Sequence, residues 1–147
     1  MTGAKVIFAA GLLSGSLDIA VTGILRRAQG VSFQKLLQTI ANVAIGPSAF
    51  TQGRRSAALG LFFHFLIAFT ASTVYLTASR HIPPILDQPY LSGAIFGILV
   101  HFFMSLVVVP LSRLTRPFST KAFLVQLVIH ILFVGLPIAL TTSGLYH

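Results

Sequence analysis

The chain contains no cysteine and only two acidic residues, and charged side chains make up 8% of its 147 residues. Without cysteine there is no disulfide, no thiolate metal site and no covalently attached c-type haem. A soluble domain carries about 25% charged residues, so this chain has too little polar chemistry to cover a water-facing surface. A nucleophile elbow, a phosphate-binding loop and paired carboxylates are also missing, so enzyme chemistry has no motif behind it. No low-complexity tract or strong internal repeat appears.

Hydrophobic residues, 55% of the total, take up that space. They gather in four apolar stretches, at about residues 5–25, 57–78, 91–112 and 121–142, none with an Arg or Lys in its interior. Each stretch is long enough to cross ~30 Å of hydrocarbon as a helix. Ser14, Gly15, Ser16 and Asp18 interrupt the first, but apolar character resumes from Ile19 to Leu25. A span is therefore expected there and not a cleaved leader. Residues 1–147 read as a single integral membrane domain of the all-α class, a four-helix transmembrane bundle.

Between the first two spans, Phe33, Leu36, Leu37, Ile40, Val43 and Ala44 recur at helical spacing opposite Gln34, Lys35, Gln38 and Asn42. That pattern is an amphipathic helix in the membrane interface, packed beneath the bundle or serving as a re-entrant gate. Gly46-Pro47-Ser48 ends it. Ile82-Pro83-Pro84 with Asp87-Gln88-Pro89, and Thr115-Arg116-Pro117, form short connections that should leave successive helices as antiparallel neighbours. Pro110 and Pro137 lie near span ends, where kinks are expected. His81 and His147 stand at span termini as ordinary exposed residues.

The formal net charge of +8 does not point to nucleic acid, because the basic residues edge the apolar runs and form no patch interleaved with aromatics. Anionic lipid headgroups at the cytoplasmic face are the expected partner. Arg26, Arg27, Lys35, Arg54, Arg55, Arg113, Arg116 and Lys121 fall on one side, and Lys5 and Arg80 on the other. The positive-inside rule then puts both termini outside the cytoplasm. Tyr75, Tyr90 and Tyr146 fall near the outer boundary, where phenols anchor.

Each span carries one titratable group in its interior: Asp18, His64, His101 and His130. Such groups cost roughly 2.5 to 3.5 kcal/mol at a bilayer centre, which makes them candidates for function. Gly11 and Gly15 share a helix face with Asp18, and Gly93, Gly97 and Ser105 share one with His101. Small residues admit close helix approach, so these faces should turn inward. Gly60, Ala68, Ser72 and Tyr75 accompany His64, while Gln126 lies one turn from His130. Counted from the cytoplasmic boundaries, all four groups lie about 10 to 17 Å deep, close enough to meet as one polar cluster.

Three imidazoles and a carboxylate are ordinary ligands for zinc, iron, manganese or copper, so His64, His101, His130 and Asp18 are the metal candidates. Two of the histidines suit a b-type haem between helices. A proton relay or pH-responsive contact is a third use. The alternative is a structural or assembly module with no ligand, in which polar pairs involving Ser105 or Gln126 fix helix register. In that reading Gly11, Gly15, Gly93 and Gly97 pack helices within the chain, in a homo-oligomer or against a membrane-complex partner.

Several residues resemble the small YagU-like inner-membrane proteins of unknown function. They are Gly11-Leu12-x-x-Gly15, His64 ahead of Tyr75, Gly93 ahead of His101, Pro110-Leu111-x-x-Leu114-Thr115-x-Pro117, and His130. The His101 to Pro110 interval is about one helical turn longer than in that family, Asp18 has no acidic counterpart there, and the Phe33 to Ala44 connection differs. The resemblance implies a bacterial inner membrane and a four-helix fold, and no activity.

Overall fold

A computed structural model of the chain describes residues 1–111 and 119–146. The third connection, with Arg113 and Thr115-Arg116-Pro117, and the terminal His147 lie outside the described residues. Among the described residues there is helix and no strand. Four helices are long and apolar enough to cross a membrane: Gly3–Ala28, Arg54–His81, Pro89–Leu111 and Thr120–Leu145. Where both ends are described, each overruns its hydrophobic stretch by one to three residues, because a helix continues into the zone where its ends meet water.

Local chemistry sets the breaks. Gly30, at φ +78°, takes the turn after the first span, where Gly30 and Val31 N–H return to the Arg27 and Arg26 carbonyls. Ser32 then caps the connecting helix Phe33–Ile45 by accepting the Lys35 N–H at 3.2 Å. Gly46 at φ +70° and Gly53 at φ +58° bracket a 3-10 turn, Gly46–Phe50, and return the chain into the second span.

The connecting helix buries a different face from the one its hydrophobic pattern suggests. Leu36, Leu37, Gln38, Ala41 and Asn42 are buried, whereas Phe33 and Ala44 are exposed. The cause is a close crossing over Gly60: a β-carbon there would collide with the Leu37 carbonyl and approach the Ala41 nitrogen. The face centred on Leu37 and Ala41 therefore docks. Gln38, expected to face water, goes in with it because its amide donates to the Gly53 carbonyl at 3.1 Å and to Ser56 Oγ at 3.5 Å.

The first and fourth spans hold the centre, the second packs on the first and the third on the fourth. The second and third spans, although consecutive, approach only near Tyr75, whose hydroxyl hydrogen-bonds Ser92 Oγ at 2.7 Å and whose ring meets Phe96 edge-on. They are not the flanking neighbours that a short connection suggested. The helical turn Pro84–Asp87 carries the chain across, and small residues of the fourth span receive the third. At the same end of the molecule Arg80 donates to the Tyr146 hydroxyl at 2.9 Å, and the N-terminal ammonium donates to the Leu145 carbonyl at 3.1 Å.

Two helices contain a widened turn, at Met104–Val108 and His130–Gly135. Val109 N–H reaches the Met104 carbonyl and Leu136 N–H the Ile131 carbonyl, five residues back and not four. Each widening comes just before a proline, Pro110 or Pro137, whose ring would otherwise strike the carbonyl four residues behind it. The outer surface is apolar: Phe8, Ile24, Phe62, Val74, Leu99 and Leu106 are all exposed, a covering suited to hydrocarbon.

Candidate functional site

The titratable residues fall into two pairs, His64 with Asp18 and His130 with His101, in the order in which their helices pack. Gly15 and Asp18 lie one turn apart on the first span, and His64 on the second bridges them. Its Nε2 lies 2.8 Å from the Gly15 carbonyl oxygen, and its Nδ1 lies 3.9 Å from Asp18 Oδ2. Both side chains are largely buried, at 11% and 16% exposed. The first span also packs on the fourth at His130–Gly135. On the far side His130 Nδ1 lies 2.8 Å from the Gln126 carbonyl oxygen and 3.3 Å from His101 Nδ1. His101, at 1% exposed, also packs edge-on against Phe123.

The two carbonyl contacts fix where hydrogens sit. A carbonyl oxygen only accepts, so His64 Nε2 carries its hydrogen and donates it to Gly15. In a neutral ring Nδ1 is then a bare lone pair facing a carboxylate oxygen. The contact is attractive only when one more proton lies between them, on Nδ1 or on Asp18. By the same reasoning His130 Nδ1 donates to Gln126, so His101 Nδ1 must present its lone pair and carry its hydrogen on Nε2. That Nε2 is buried without a hydrogen-bond partner among the described residues, as is Asp18 Oδ1 and the Thr22 hydroxyl one turn away.

A four-ligand metal set, one of the uses the sequence left open, is not assembled among the described residues. Among the described residues no three His, Asp or Glu side chains converge so as to hold a metal ion. The imidazoles are turned toward main-chain carbonyls and toward each other in pairs. A haem between helices needs two imidazoles facing each other across the thickness of a macrocycle. His101 and His130 are instead in contact, and His64 is turned onto Gly15.

The supporting residues divide. Gln126 contributes through its main chain. Ser105 lies in the widened turn of the third span, half-buried, and makes no hydrogen bond to the four titratable groups. Tyr75 stands eleven residues beyond His64, about 16 Å along the helix, and belongs to the packing with Ser92. Gly11 and Gly15 receive the rings of Phe69 and Phe65, and Gly93 and Gly97 receive the fourth span.

Sequence reasoning missed the Gly15 carbonyl, which has no side-chain signature. It also missed Phe123 and Gly135. Phe123 lies seven residues before His130, a spacing that returns to one helix face, and Gly135 interrupts a leucine-rich span two residues before Pro137. No protein-family model, curated protein or solved structure matches the chain.

Proposed function

We propose that this chain is a polytopic protein of a bacterial inner membrane whose helix packing responds to protonation of the His64, Asp18, His130 and His101 line. The observation that carries the reading is the His64 contact, in which donation to the Gly15 carbonyl leaves Nδ1 3.9 Å from Asp18 Oδ2, within ion-pair distance once the ring gains a second proton. The line follows the packing order of the helices from the second span to the third and not the axis of any one of them. A lateral line of this kind does not lead from one membrane face to the other, so it suits a pH-responsive contact better than a conducting path.

The two ends of the line respond with opposite sign. A proton between His64 and Asp18 draws the first two spans together. A further proton on His101 Nδ1 sets two N–H donors against each other at 3.3 Å and pushes the third and fourth spans apart. No Lys or Arg lies inside the four apolar stretches to offset either change. In this reading the connecting helix lies in the cytoplasmic interface near anionic headgroups, and both termini are outside the cytoplasm. Support comes from the charge count, eight basic residues against two, of which Arg113 and Arg116 lie outside the described residues. Membership of the YagU-like family belongs to the same proposal, on the residues quoted for it.

The absence of cysteine makes the test direct. Spin labels at Leu13→Cys and Leu66→Cys report the first contact, and at Leu99→Cys and Leu132→Cys the second, all at exposed positions. Between about pH 8 and about pH 5 in lipid nanodiscs, the first distance should contract and the second lengthen. Asp18→Asn should make the first distance independent of pH and leave the second responsive. Distances that ignore pH in the unmodified site overturn the proposal. They would favour the second reading, a structural module, which rests on the backbone-to-backbone packing of Gly93, Gly97 and Gly135.

A further inference from the structure

Arg54 and Arg55 open the second span, and both are exposed. Neither guanidinium makes an ion pair or hydrogen bond with a described residue, in contrast to Arg80 at the other end of the same helix, which is held by Tyr146. They occupy the first turn, where the helix dipole offers a cation nothing, so the dipole does not account for their charge. One turn further on, an apolar groove of about 430 Å³ begins, lined by Ala58, Leu61, Phe62, Phe65, Leu66 and Phe69. The rings of Phe65 and Phe69 also lie against Gly15 and Gly11 of the first span.

The dimensions identify the occupant. From Ala58 to Phe69 is eleven residues, about 16 Å of helix, close to half of a ~30 Å hydrocarbon core. The groove therefore runs from headgroup level to the bilayer midplane, the reach of one acyl chain. Its walls offer no polar side chain that would read a peptide. Paired guanidinium groups at its mouth match phosphate oxygens, and their double positive charge favours a lipid of net negative charge over a zwitterionic one.

We infer that this face binds one anionic glycerophospholipid, with the phosphate at Arg54 and Arg55 and an acyl chain along the groove. The inference rests on reading the four helices as membrane spans. The chain has no tryptophan, so Phe62→Trp creates a single fluorescent reporter in the groove, and Leu99→Trp creates one on an exposed face of the third span. Each is reconstituted with phosphatidylcholine containing increasing fractions of phosphatidylglycerol, with one or the other lipid brominated in its acyl chains.

Brominated phosphatidylglycerol should quench the reporter at position 62 at a mole fraction roughly thirtyfold lower than brominated phosphatidylcholine, the preference expected of two basic groups at an anionic lipid. The reporter at position 99 should not distinguish the two lipids. Arg54→Gln with Arg55→Gln should remove the preference and leave the helical circular dichroism unchanged. Equal quenching at position 62, or a preference that survives the double substitution, overturns the site. So does a reporter at 62 that neither lipid reaches while 99 is quenched, which would show that a second copy of the chain covers this face. Failure of both lipids to quench position 99 would instead refute the membrane reading itself.

Discussion

The contact between the first two spans and the contact between the last two use the same residue, glycine, in different ways. In the first, glycines occur on one helix only, and what enters the notch is chiefly a side chain: a β-carbon at Gly11 or Gly15 would first meet the ring of Phe69 or Phe65, with one main-chain atom, Phe69 Cα, 3.2 Å from the former. In the second, glycines face each other. A β-carbon at Gly97 would come within 2.6 Å of the His130 carbonyl oxygen and Ile131 Cα, and one at Gly135 would strike the Gly93 carbonyl. Rings can swing and main chain cannot, so the first contact adjusts in place and the second yields only by moving one helix away from the other. Each contact carries one pair of titratable groups, which makes His64–Asp18 a polar contact on a yielding seam and His101–His130 one on a rigid seam.

The sharpest way to break this comparison is at the rigid seam. Gly97→Ala and Gly135→Ala should each cost about 3 kcal/mol, the upper range for overpacking, because the added methyl can be accommodated only by moving one helix away from the other. Unfolding in sodium dodecyl sulfate mixed micelles measures this. The same experiment should show the His101–His130 distance, followed by spin labels on the third and fourth spans, lengthening in the variants. A loss below about 1 kcal/mol for both substitutions would mean that this seam yields like the other.

The histidine pair allows a finer comparison, since its members are unequally satisfied. His130→Leu should cost about 1 to 2 kcal/mol, because it leaves His101 buried with neither ring nitrogen bonded. His101→Leu should cost less than about 1 kcal/mol, because His130 keeps the Gln126 carbonyl and a buried unpartnered N–H disappears. The reverse order would show that His101 Nε2 has a partner in the working protein. Comparing the two variants at one neutral pH keeps their titration out of the result.

These unequal roles show what the sequence does and does not contain. Four helices were legible because a run of about 20 apolar residues without Lys or Arg has one economical solution in hydrocarbon. The candidate residues were legible for the same reason, as the one titratable group in each apolar interior. Their pairing was not, because it depends on which spans touch, and the close approach of Gly93 and Gly97 to Gly135 places the third helix against the fourth and not beside the second. A four-ligand metal set was one candidate use, raised by shared depth and inward faces, but neither says where a ring nitrogen points, and two of the imidazoles point to carbonyls of Gly15 and Gln126. The buried face of the connecting helix was misread for a similar reason. Gln38 has the polarity of a surface residue until Gly53 and Ser56, fifteen and eighteen positions away, supply its partners. The widened turns follow from Pro110 and Pro137, which were visible, but sequence does not distinguish a kink from an extra residue in the turn.

The smallest effect should come from the yielding seam, and there the comparison is tested from its other side. A β-carbon at Gly15 would lie 2.9 Å from the Phe65 ring and 3.1 Å from the Ala68 β-carbon, with no main-chain atom among its nearest neighbours. Phe65 is only partly buried and borders the apolar groove on the outer surface, so its ring has somewhere to go. Gly15→Ala should therefore cost less than about 1 kcal/mol, with part of the loss offset by the better helix propensity of alanine. Shortening the obstructing side chain should recover the rest: Phe65→Leu with Gly15→Ala should be more stable than the sum of the two single changes predicts. That non-additivity, read from a double-mutant cycle, is the signature of a movable ring in contact with the new methyl. Strict additivity would place the obstruction in the main chain and make the two seams alike.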